Sequence, residues 1–139
     1  MTLQLSDRTQ CITALDAMLQ RCPGANEAML ASSDGRPFAE RSRVRTGVDG
    51  GRLAAMASSL AALGNGVLRE LSAGNLDHIL VEGGGGKLVV CCVPGSRNSL
   101  VLAVHAGNEA RLGLVLGQAK SCALAIGQIM ARSAASASR

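Results

Sequence analysis

The sequence contains no tryptophan and no tyrosine, and Phe38 is its only aromatic residue. A core must therefore be assembled from Leu, Val, Ile, Met and many Ala, and small side chains of that kind imply closely approaching backbones. One ring cannot provide a stacking platform for unpaired bases. Lysine is nearly absent too, with only Lys87 and Lys120, and the arginines are scattered from Arg8 to Arg139. The formal charge of +4 is thus not gathered into the basic stripe that marks a nucleic-acid binder, and no nucleic acid is expected as a partner. No stretch reaches the roughly 18 uninterrupted apolar residues of a membrane span, so no span is expected. The opening MTLQLSDRTQ lacks a basic region followed by an apolar run, which leads us to expect a cytoplasmic protein without a leader.

The five cysteines, Cys11, Cys22, Cys91, Cys92 and Cys122, are odd in number, form no CxxC pair and lie within apolar patterns. They read as small hydrophobic residues in a reducing compartment. His78 and His105 are the only histidines, neither has a neighbour at metal-ligand spacing, and no G-x-S-x-G elbow is present. We expect no metal, no cofactor and no catalytic residue, with both histidines as half-buried strand positions.

What is there is one domain's worth of regular pattern. At 139 residues a chain buries roughly two thirds of its extended surface, enough for a single core. Ile12, Leu15 and Leu19 mark a first helix over residues 6–21, stopped by Cys22-Pro23-Gly24. Ala28-Met29-Leu30-Ala31, the Ser33-Asp34-Gly35 turn and Phe38 predict a hairpin. Asp49 can cap a second helix, in which Leu53, Met56, Leu60, Leu63, Val67 and Leu71 recur by threes and fours beside a run of Ala. Three strands follow at 76–82, 87–93 and 99–105, joined by connections short enough only for hairpins. The central one, Leu88 to Val93, is apolar on both faces, which implies a sheet covered by helices on both sides. A last helix spans about 109–131. The domain is expected to occupy residues 1–133, with 134–139 as a flexible tail.

Three local features invite a functional reading. Gly83-Gly84-Gly85-Gly86-Lys87 looks like a phosphate loop, but the leading glycine of that motif falls on Val81 and its Ser or Thr on Leu88. The run also joins two strands, so a hairpin turn is the better reading. Cys91 and Cys92 are adjacent in a strand and must point to opposite faces, which favours packing over redox chemistry. Arg41, Arg43 and Arg45 form a basic stretch. A solvated loop is the favoured reading, and with Arg52 these arginines are kept as candidate partner contacts.

The order helix, hairpin, long helix, three-stranded meander, long helix resembles the roadblock / dynein light chain family. So do Pro23-Gly24 closing the first helix, the Asp34-Gly35 turn, the run Leu53-Ala54-Ala55-Met56-Ala57, and the turn from Gly83 to Lys87. The resemblance covers nearly the whole chain. It implies an α/β (α+β) fold of order α-β-β-α-β-β-β-α, with a five-stranded antiparallel sheet, the middle helix on one face and the terminal helices on the other. It also implies a dimer in which middle helices lie antiparallel and third strands join edge to edge. The expected interface residues are then Leu53, Met56, Ala57, Leu60, Leu63 and Val67 on the helix, and Asp77, His78, Ile79, Leu80 and Val81 on the strand.

Two features of the residues support pairing independently. A third strand reading Asp77-His78-Ile79-Leu80-Val81 is long and apolar for an exposed edge. The middle helix is also alone on its sheet face, so its apolar surface needs a second cover. By resemblance, the expected function is a homodimeric regulator or adaptor of a small Ras-like GTPase, possessing no catalytic residues of its own. Higher oligomers remain open, and the alternative is a scaffold subunit of a motor, motility or signalling complex that leaves nucleotide state unchanged.

Overall fold

The computed structural model describes residues 5–45, 47–96 and 100–137. Helix α1 (Leu5–Gln20) turns Cys11, Leu15, Met18 and Leu19 inward. The chain then reverses through Gly24 at φ +90°, where an added Cβ would sit 2.7 Å from that of Ala110, so only glycine fits there. Strands β1 (Ala25–Ser32) and β2 (Pro37–Ser42) form the predicted hairpin around Gly35, itself at φ +84°. Helix α2 (Gly50–Glu70) begins at Asp49, whose side chain accepts a hydrogen bond from the Arg52 N–H at 3.2 Å, the cap expected from the sequence. Strands β3 (His78–Gly83), β4 (Gly86–Cys92) and β5 (Leu100–Gly107) follow, and helix α3 (Leu112–Ala137) closes the described chain.

The five strands make one antiparallel sheet in the order β2-β1-β5-β4-β3. The most apolar strand, β5, is central, and β2 and β3 are the edges. Helices α1 and α3 cover one face, where Leu15, Leu30, Val89, Leu102, Val104 and Ile126 form the main core. Among the described residues, helix α2 alone covers the other face, through Ala57 and Ala61 on Val90, Val101 and Ala103.

Boundaries differ from expectation in three places. Strand β3 starts at His78, because Leu76 turns into the α2 layer and Asp77 is drawn to Lys120. Helix α3 runs on to Ala137, through most of the segment expected as a tail. Ser133 donates a hydrogen bond to Asp7 at 2.7 Å and ties this end of α3 to the start of α1. Ser99, expected to open the fifth strand, lies outside the described residues, as do Arg97 and Asn98 before it, Thr46 in the basic stretch, and Ser138 and Arg139.

Over Leu112–Ser136, α3 is long and apolar enough by composition to cross a membrane. Its buried face, Val115, Ala119, Ala123, Ile126 and Met130, packs on the sheet and α1, which accounts for that apolarity within a packed domain.

Candidate functional site

Helix α2 carries two apolar stripes side by side. The small one, Ala54, Ala57 and Ala61, faces the sheet, and Ala57 is fully buried there. The large one faces out, with Met56 57%, Leu63 67% and Val67 50% exposed. A helix that packs through Ala lies close to its sheet, and the larger side chains are left without a cover. Leu60 and Leu53 sit between the stripes, half-buried. Ala57 is therefore corrected from an expected interface residue to a contact within the protomer. Gly64 adds to the close fit, since a Cβ there would meet the Ile79 and Leu76 side chains at 3.0 and 3.1 Å.

The exposed stripe of α2 runs into the open edge of the sheet. Ile79 and Val81 lie on the α2 face of β3 and Leu80 on the other, and Leu80 and Val81 are both exposed. Between α2 and β3, Leu60, Leu63, Val67, Leu76 and Ile79 line an apolar groove of about 530 Å³. A second apolar groove, of about 470 Å³, runs along α2 beside Met56, Leu60 and Leu63. Asp77, expected within the strand, precedes it. Its carboxylate receives Lys120 Nζ at 2.6 Å and His78 Nδ1 at 2.8 Å, and hydrogen bonding to Lys120 and then to His78 holds its pKa below the usual value. The pair fastens the start of β3 to α3 on the far side of the sheet.

The other sequence candidates serve the fold. Arg43 Nη1 donates to the carbonyls of Leu19 and Cys22 at 3.0 and 3.2 Å, occupying acceptors that the end of α1 leaves open. Arg41 pairs with Asp16 on α1 at 2.8 Å. Two of the three arginines of the basic stretch thus clamp the end of β2 to α1, and all three are exposed, as is Arg52. The glycine run is a hairpin turn, as its position between strands implied. Lys87 is buried and donates to the carbonyls of Gly107 and Ala110 at 3.1 and 3.0 Å, an arrangement that a phosphate-binding lysine does not have. His105 Nδ1 lies 3.1 Å from a buried Glu27 carboxylate on the neighbouring strand.

Cys91 and Cys92 do point to opposite faces, one into each core. Burial raises the thiol pKa of Cys11 and Cys91 to about 11 and that of Cys122 to about 12. Unfolded thiols ionise near ~8.5, so the folded state disfavours ionisation. The contribution of these thiols to stability is then complete below about pH 8.5 and lost as the pH rises past it. We expect the denaturant midpoint to be flat from about pH 7 to pH 8 and to fall toward pH 10. An unchanged midpoint at pH 10 would refute this. Thiol reagents at pH 8 should label these three cysteines only on unfolding.

The Roadblock/LC7 domain matches residues 12–109, from within α1 to the turn after β5. The chain belongs to the Roadblock/LC7 family. Its fold is that of solved Roadblock/LC7 structures. MglB of Myxococcus xanthus superposes with a TM-score of 0.83 at 18% identity, covering 95% of this chain and 96% of that one. An MglB described with a tetrameric arrangement gives a TM-score of 0.83 at 22% identity, covering 92% and 93%. The Roadblock/LC7 domain from Streptomyces avermitilis gives 0.75 at 24% identity, covering 86% and 96%. No curated protein matches the sequence. The start of α1 and all of α3 lie beyond the matched residues, and α3 supplies a large share of the main core.

Proposed function

We propose that this Roadblock/LC7 chain is a cytoplasmic, bacterial homodimer that regulates or serves as an adaptor for a small Ras-like GTPase. The observation that carries the reading is the uncovered apolar face formed by Met56, Leu63 and Val67 of α2 and continued by Leu80 and Val81 at the β3 edge. Each fully buried side chain of this size is worth about 1.5–3 kcal/mol, so a second copy laid antiparallel on α2 and joined along β3 gains several such terms at once. Leu53, Leu60 and Ile79 fill in beneath that contact, and Asp77 and His78 border it. The dimer then presents a composite surface of two middle helices and their flanking loops, with Arg45 and Arg52 as candidate contacts for the GTPase and Arg41 and Arg43 behind them.

The family relation supplies the GTPase half of the reading. Chemistry belongs to the partner, and this chain contributes positioning and a shift among the partner's conformations. The test mixes the purified full chain with the small GTPase encoded nearest to it, following complex formation by sedimentation and turnover by phosphate release. Binding with a changed rate supports a regulator. Binding with an unchanged rate supports an adaptor or scaffold, and no binding to any small GTPase in native co-purification overturns the GTPase assignment.

A further inference from the structure

The open edge of the sheet reads His78-Ile79-Leu80-Val81-Glu82, a segment complementary to itself when reversed. The connection Gly84-Gly85 closes on the pair Gly83 and Gly86, which exchange backbone hydrogen bonds in a two-residue hairpin. Backbone groups alternate in direction along a strand. Val81 and Ile79 therefore address β4, while Glu82, Leu80 and His78 offer their N–H and C=O groups at the free edge. A second copy added about a twofold axis normal to the sheet keeps each face on its own side, so only residues of the same face can lie opposite one another.

Centring that axis on Leu80 engages all three outward residues. Leu80 then faces the partner's Leu80, Ile79 faces the partner's Val81, and His78 faces the partner's Glu82. An axis on Ile79 sets Leu80 against the partner's His78, and an axis on Val81 sets it against the partner's Glu82, so both neighbouring registers oppose an apolar side chain to a polar one. Cross-strand pairing of like with like and of opposite charges selects the first register. His78 is built to serve it. Its Nδ1 is held by Asp77, which is in turn fixed by Lys120 from α3, and the residue opposite on β4 is the apolar-packed Cys91. Nε2 is left for the partner.

We propose that His78 and the partner's Glu82 pair twice across the dimer axis, fixing the register and favouring a homotypic dimer. The inference rests on the dimer reading above. Both imidazole nitrogens donate in the charged form, Nδ1 to Asp77 and Nε2 to the partner's Glu82. Charges facing it are Asp77, Lys120 and the partner's Glu82.

The test measures dimer dissociation for the wild type, His78→Glu and Glu82→Lys, alone and as an equimolar mixture. His78→Glu opposes carboxylates twice, and Glu82→Lys removes both carboxylates and sets an ammonium against each imidazole, so each variant alone should dissociate roughly tenfold more readily. Mixed, they face Glu to Lys and His to Glu, and should form a heterodimer near wild-type strength, which also establishes that both are folded. Variants that pair as well as the wild type, or a mixture that restores nothing, overturn the register while leaving the dimer standing. A wild type that is monomeric overturns the dimer reading itself.

Discussion

Replacing Leu63 by Asp is expected to convert the proposed dimer into a folded monomer. In the protomer Leu63 is two-thirds exposed, so a carboxylate there stays hydrated and the cores on both sheet faces are untouched. In a dimer built on α2 the same position is covered by the partner's helix, and the symmetry places two carboxylates in the contact. Each loses about 1.5–3 kcal/mol of leucine burial and adds the cost of removing a charge from water, several kcal/mol without a paired cation. Dissociation should rise by a factor of a thousand or more, at about 1.4 kcal/mol per tenfold. Sedimentation velocity at micromolar concentration reads the change, and thermal melting followed by circular dichroism checks the fold. A variant still dimeric at low micromolar concentration places the interface elsewhere, and a variant unfolded at room temperature refutes the independence of protomer and interface.

Enlarging Ala57 to Leu should destabilise the protomer. Ala57 has no exposed surface and meets Val90, Val101 and Ala103 of the sheet, so three added carbons force α2 outward or its neighbours off their rotamers. Overpacking of this kind costs about 2–3 kcal/mol, which lowers the melting temperature by about 10 °C in a domain of this size. Because α2 carries the exposed stripe, the shift also spoils the dimer surface, and dissociation should increase in the same variant. Met56→Leu, two-fifths buried on the outer stripe, is the contrasting case and should leave the melting temperature within about 2 °C. An Ala57→Leu protein as stable as the wild type would show that the close contact between helix and sheet is not what fixes α2.

Much of this was legible in the residues. Period-3.6 patterns located the three helices, and apolar runs bounded by turn residues located the strands, because a helix buries one stripe while a central strand is buried on both faces. The Pro23-Gly24 and Asp34-Gly35 breaks located the first two turns, since glycine alone relieves their positive φ or close approach. The liability of an apolar β3 was visible before its position at the sheet edge was known. The tie between Arg43 and the end of α1 gave no such signal. Its acceptors are main-chain carbonyls of Leu19 and Cys22, which every residue possesses, and they are brought to Arg43 only when β2 lies beside α1. Lys87 was hidden for the same reason, with its acceptors at the end of β5 and on the turn after it.

The sequence by itself determined the elements, their order, the opposite orientation of Cys91 and Cys92, and the excess of apolar surface on α2. Tertiary structure alone decided which stripe of α2 meets the sheet. Binary pattern reports that Ala57 and Leu63 are both apolar, but not which one the sheet can accept. That choice comes from the space above Val90, Val101 and Ala103, which admits a row of methyl groups and turns the leucine outward.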